Sequence, residues 1–122
     1  MRVTGFGGLF FKSADPDKLY EWYDKHLGMK RNPWGFSFKW ADDPHAAEGE
    51  TTWSIFKADT KHFAPSTAPF MMNFRVEGLK ELLAKLRSEG VWVDDKYEET
   101  DYGNFGWIMD PDGNRIELWE PK

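Results

Sequence analysis

Met72-Asn-Phe-Arg-Val-Glu-Gly-Leu-Lys-Glu-Leu-Leu-Ala-Lys-Leu-Arg-Ser-Glu-Gly90 reads as a short apolar strand, a turn and an amphipathic helix. About 63 residues earlier the chain repeats that order. Leu9 and Phe11 answer to Met72 and Phe74, and Leu19, Tyr20 and Tyr23 answer to Leu82, Leu83 and Leu86. The earlier helix, Asp17-Lys-Leu-Tyr-Glu-Trp-Tyr-Asp-Lys-His-Leu27, closes at Gly28, and the later one closes at Gly90. Glycine ends helices because it enters the left-handed region without a Cβ clash. A repeat of this length predicts two βα-type modules within one domain spanning residues 1–122. The first module covers about 1–60 and the second about 70–122, with a linker over about 60–69. Two such modules enclose a groove, and the groove lining decides function.

The chain has 122 residues, 30% charged and 40% apolar, which is ordinary for a single domain with its own core. Aromatic residues reach 17% and include seven Trp, more than a core of this size needs, so some should line a cavity or an interface. A formal charge of −5 argues against nucleic acid as a partner, because phosphate recognition needs clustered Lys and Arg. The same charge would suit a cationic ligand, or simply a solvated acidic surface. Without Cys there can be no disulfide, thiolate metal site or Cys nucleophile. No apolar run is long enough to span a membrane and no signal-peptide core is visible, so the expected compartment is the cytoplasm.

Thr4 to Lys12 reads as a strand with Leu9 and Phe11 on one side and Gly8, Phe10 and Lys12 on the other. Asp15-Pro16 predicts a helix start, with Asp as cap and Pro in the first turn. Strands are expected at Met29–Asn32, Phe36–Trp40 and Thr52–Lys57, followed by the Pro-containing linker. In the second module Phe70 to Val76 should be a strand with Met72, Phe74 and Val76 toward the helix. Trp92–Asp94 should be another strand, with a loop over Tyr97 to Asn104. Phe105–Met109 and Asn114–Glu120 form a hairpin across Asp110-Pro-Asp-Gly113, a strong turn signal.

Asp110-Pro-Asp-Gly-Asn-Arg-Ile-Glu-Leu-Trp-Glu-Pro121 resembles the closing hairpin of the glyoxalase/bleomycin-resistance protein/dioxygenase group, the vicinal oxygen chelate (VOC) superfamily. Ser13 to Pro16, Trp22-Tyr23 and Leu27-Gly28-Met29 are similar to that family's first helix and its exit. The resemblance implies an α+β fold of paired βαβββ modules, whose open, curled mixed sheet carries the helices outside. It also implies a homodimer. In the family's enzymes a divalent ion, held by His and Glu from both modules, chelates two vicinal oxygens and acts as a Lewis acid.

Carried over by position, the family's metal ligands fall at or near Gly8, at Met71 and at Glu117, with Glu50 a further candidate. Gly8 offers no side chain, and a Met thioether suits hard divalent ions poorly. One carboxylate does not make a site of three or four ligands. No metal site and no cofactor are therefore expected. His26 is expected in the helix's last turn, where it complements the helix dipole, and His45 and His62 in loops.

Strand parity gives a groove lined by Gly8, Phe10 and Lys12, by Met71, Asn73 and Arg75, and by Arg115, Glu117 and Trp119, with Trp53 and Trp107 added. Apolar walls with sparse polar groups are typical of small-molecule sites. Arg75 and Glu117 should meet if both point inward, because a buried charge needs a partner. That pair either fills, with Asn73, the space of a lost metal, or has a function in which Arg75 orients a substrate carboxylate or Glu117 acts as a catalytic base. Gly7 and Gly8 mark a close approach, by a ligand or by packing of Trp119 or Met71. The first expectation for function is metal-independent binding of a small planar or cationic molecule. The alternative is a metal-dependent lyase, isomerase or dioxygenase of the superfamily with a displaced metal site. A structural or regulatory module with a filled groove is the third.

Overall fold

A computed structural model describes all 122 residues. Helix α1 (Pro16–Leu27) is followed by a short 3-10 turn (Trp40–Asp42), strand β1 (Met72–Arg75), helix α2 (Leu79–Ser88) and strands β2 (Glu98–Thr100), β3 (Gly103–Met109) and β4 (Arg115–Pro121). The architecture is α+β, with one open, mixed four-stranded sheet in the order β1-β4-β3-β2. β1 runs parallel to β4 and the other pairs are antiparallel, with Met72 opposite Ile116 and Trp107 opposite Glu117. No helix is long and apolar enough to cross a membrane.

Each element has a local cause. The Asp15 carboxylate accepts the Lys18 N–H at 3.3 Å, Pro16 opens α1, and Gly28 closes it at φ +68°. α2 has no side-chain cap of its own. Glu120 of β4 replaces one, its carboxylate accepting the N–H groups of Gly78 at 2.6 Å and Leu79 at 3.3 Å. A carboxylate there satisfies free donors and meets the positive end of the helix dipole. In the β3–β4 turn, Asp110 accepts the N–H of Asp112 and of Asn114, both at 2.9 Å, and the Asn114 amide at 2.8 Å.

The core lies between the sheet and the two helices. Leu19 and Tyr23 from α1 and Leu79, Leu83 and Leu86 from α2 pack on Met72, Ile108, Ile116 and Leu118. Burying each of these side chains contributes about 1.5–3 kcal/mol before chain entropy is counted. Gly106 lets α2 approach closely, since a Cβ there would stand 2.8 Å from a Leu83 methyl carbon. His26 and Glu89 meet at the helix ends, Nδ1 to Oε1 at 3.1 Å, and they are separated by the repeat offset of 63 residues. Lys85 also donates to Glu89, at 2.9 Å, and with His26 holds its carboxyl below the usual carboxylate range.

The first module departs from expectation. Thr4–Lys12, Met29–Asn32, Phe36–Trp40 and Thr52–Lys57 form no strands, and only an Asn32–Gly35 bridge marks them. A strand exists only where its N–H and C=O groups find a ladder partner, and these segments find none within the chain. Most of their apolar side chains stay open to solvent, Phe10 being 97% exposed, Ile55 91% and Trp40 85%, while Met29 and Phe36 pack partly buried against the core. A Cβ added at Gly7 or Gly8 would meet nothing within 4 Å, so the close approach expected there does not occur. In the second module, Trp92–Asp94 reduces to a single bridge, Val93 to Ile108. The loop expected over Tyr97 to Asn104 instead holds β2 and the start of β3.

Candidate functional site

Alternation along β1, β3 and β4 sends one set of side chains to the helices and the other to the open face of the sheet. On that open face Glu117 is the hub. Its Oε1 accepts the Asn73 amide at 2.8 Å. Its Oε2 accepts the Trp107 indole N–H at 2.8 Å and faces His62 Nε2 at 3.2 Å. Trp107 reaches it because the two residues are directly opposed across β3 and β4, and Asn73 because it is opposed to Glu117 across β1 and β4. Phe105 continues the face as an aromatic row. Its ring lies nearly parallel to Trp107 at 6.5 Å and to Trp119 at 6.2 Å. The Trp119 indole is itself anchored on the Tyr102 carbonyl at 3.0 Å.

Two arginines flank the hub, and neither touches it. Arg75 pairs with Asp43 and donates to the Glu50 carbonyl at 3.4 Å, so the expected Arg75–Glu117 pair does not form. The reason is geometric: Asn73 is the β1 residue opposed to Glu117, whereas Arg75 is opposed to Trp119. The His45 N–H and the Arg75 guanidinium hold the Asp43 carboxyl below its usual range. A cleft of about 140 Å³ opens here, lined in part by Trp40, Asp43, His45, Glu50 and Arg75. A larger depression of about 340 Å³ lies against α1, at Asp17, Tyr20, Glu21, Asp24 and Arg31, away from the Glu117 hub. Arg115 is buried, with its guanidinium 5.5 Å from the Trp107 ring and 5.9 Å from the Trp92 ring. It donates to Asp94 at 2.9 Å, while its Nε and Nη1 have no partner. The Lys96 N–H and then Arg115 lower the Asp94 carboxyl from its ordinary value.

The family model described as Glyoxalase/Bleomycin resistance protein/Dioxygenase superfamily matches residues 11–118. The chain belongs to this superfamily.

Two solved structures agree on the fold over most of the chain. An integron cassette protein from the mobile metagenome of V. Cholerae matches at 20% identity and TM-score 0.59, over 97% of this chain and 95% of that one. TnmS3, an antibiotic binding protein from Streptomyces sp. CB03234, matches at 21% identity and TM-score 0.54, over 89% and 88%. A glyoxalase/bleomycin resistance protein from the same Streptomyces is 33% identical over 40% of this chain and 42% of that one, at TM-score 0.37. No individually curated protein matches.

Metal binding in the superfamily needs donors that converge, and here they do not. No three His, Asp or Glu side chains form a group able to hold an ion. Gly8 lies in the exposed N-terminal segment and Met71 precedes β1, half-buried. Both Glu117 oxygens face nitrogen groups, and His62 adds only one donor atom beside them. Glu50 enters through its backbone carbonyl alone. These residues do not fit the superfamily's three- or four-ligand ion.

Of the residues expected in the groove, Asn73, Trp107 and Glu117 form one network, with Arg75, Arg115 and Trp119 on the same face. Phe10, Lys12 and Trp53 are exposed in the first module and make no hydrogen bond or ring contact with this network, Trp53 meeting only the Phe6 ring. His62 was expected only in a loop, yet it reaches Glu117. Phe105 was expected in the hairpin but not in the groove, although it shares the parity of Trp107.

Proposed function

We propose that the protein binds a small planar or cationic molecule on the open face of its sheet without a metal ion, acting in the cytoplasm as a homodimer. The observation that carries this reading is the Glu117 carboxylate, fixed by Asn73, Trp107 and His62 beside the row Trp107, Phe105 and Trp119. Aromatic faces attract planar rings and cations, and a preset carboxylate adds charge without reorganising. The chain's charge of −5 favours a cationic guest. The fold's use by an antibiotic-binding protein is consistent with carrying a ligand.

The dimer rests on the first module. Twelve of the fourteen large apolar side chains that are exposed lie within residues 1–56. Apolar surface on that scale marks an interface. β1 is also an edge strand. Each chain thus offers both an open edge and unpaired apolar segments, and two copies can satisfy each other. Light scattering after size exclusion tests this, with a monomer at micromolar concentration counting against it.

Titration with a planar cationic acridine dye, followed by Trp fluorescence with and without chelator, tests the binding reading. Saturable quenching that chelator leaves unchanged is expected; its disappearance with chelator would overturn metal independence. Fractionation of producing cells tests the compartment. The second reading, a superfamily enzyme with a displaced metal site, is favoured by the pairing of His62 with Glu117. About one divalent ion per chain, found by elemental analysis, would favour it instead.

A further inference from the structure

An ionised carboxylate only accepts hydrogen bonds, so the His62 nitrogen at 3.2 Å from Glu117 Oε2 is the one that carries a proton. In the neutral imidazole this fixes the tautomer and leaves Nδ1 as an acceptor. Nδ1 has no hydrogen-bond partner in the chain, and it points away from the carboxylate because the two ring nitrogens diverge. The His62 side chain is 32% exposed, so this atom is not sealed in. The ring is nonetheless held firmly. Phe56 stacks on it in parallel at 5.6 Å, and Trp107 meets it edge-on at 6.0 Å. Glu117 is in turn held by Asn73 and Trp107, independently of His62.

A surface ion pair would not need this support from both sides. Three aromatic or amide groups fix the orientation of one unpartnered acceptor at the rim of an aromatic face. We propose that His62 Nδ1 is a specificity subsite that accepts a hydrogen bond from a hydroxyl group on a planar ring ligand. Glu117 acts as a positioning residue that sets the tautomer and aims the ring. The proposal rests on the reading that the open face binds planar molecules, and it adds which of them are preferred: those bearing a phenolic or enolic hydroxyl.

Umbelliferone and its methyl ether separate the two ideas, because the ring system is shared and only the phenol can donate. By calorimetry, umbelliferone should bind about five- to tenfold more tightly than the ether, the size of one net hydrogen bond. In His62→Phe, which keeps a ring against Phe56, that ratio should fall to about one. In Glu117→Gln, whose amide can turn either end toward the imidazole, the ratio should fall part of the way. Equal affinity for the two probes in the unaltered protein would overturn the subsite and leave planar binding standing. A ratio that persists in His62→Phe would assign the hydroxyl to another group and also overturn it. Binding of neither probe would remove both readings.

Discussion

The Tyr23 hydroxyl of α1 donates to the Asp110 carboxylate at 2.8 Å, joining the first module's helix to the closing turn of the second across 87 residues of chain. Asp110 is buried and takes three further hydrogen bonds from its own turn. One carboxylate therefore both shapes the hairpin and receives the helix. Replacing Tyr23 by Phe keeps the packing and removes the donor. We expect a loss of about 1.5–3 kcal/mol, the range for a hydrogen bond to a charged group, read by chemical denaturation.

The same contact predicts an alkaline limb. Burial, and then the negative charge of Asp110, push the Tyr23 hydroxyl well above its ordinary value of 10.0. Above pH 10 the unfolded chain releases this proton while the folded chain retains it, so stability falls as pH rises. Below pH 10 the contribution is fully present. The slope of unfolding free energy above pH 10 should be shallower in Tyr23→Phe than in the parent protein. Equal slopes would remove Tyr23 as its source.

Asp94 predicts the acid side. Its carboxyl lies below the ordinary 3.8, held first by the Lys96 N–H and then by the Arg115 guanidinium. A lowered value stabilises the fold above the unfolded pKa, and that stabilisation is lost as pH drops toward the folded one. Asp94→Asn should cost about 1.5–3 kcal/mol at neutral pH, because buried Arg115 loses its charged partner. The variant should also lose part of the parent's decline below pH 4.

Gly103 and Gly113 both have positive φ, at +133° and +81°, but only one is crowded. A Cβ on Gly103 would lie 2.3 Å from the Glu120 carbonyl oxygen, whereas one on Gly113 meets nothing within 4 Å. Gly113→Ala should cost about 1–2 kcal/mol, the left-handed penalty alone. Gly103→Ala should cost about 2–5 kcal/mol, since overpacking adds to strain. Equal melting shifts in the two variants would refute this ranking.

Glu117→Gln should leave the metal content of purified protein unchanged, and it should weaken binding of a cationic acridine dye about three- to tenfold by removing one paired charge. Loss of an ion in this variant would instead make Glu117 a metal ligand.

The second module was readable in the sequence because its signals are local. Met72, Phe74 and the spacing of Leu79, Leu83 and Leu86 declare a strand and a helix, and Asp110 to Gly113 declares the turn. Parity along β4 was enough to put Arg115, Glu117 and Trp119 on one face. What failed was non-local. The first module's segments alternate like strands, but pairing needs a partner edge, which no periodicity encodes. Arg75 was paired with Glu117 by charge, whereas register gave that place to Asn73. His62 lies 55 residues from Glu117 in a segment without a period, so only the chain's path could bring them together. Phe105 was recoverable, since it stands two residues before Trp107 on the same strand.

The His26–Glu89 contact bears on how such a chain could arise. Those residues are 63 positions apart, the offset at which the sequence repeats, and they touch each other, so an axis relating the two repeats would pass between them. Two identical chains meeting there could set only like against like, His on His or Glu on Glu. Duplication within a single chain lifts that restriction: each copy of the position can change alone, until the pair becomes complementary. A base facing an acid across the axis is a contact that fusion makes possible and that a symmetric ancestor could not have used.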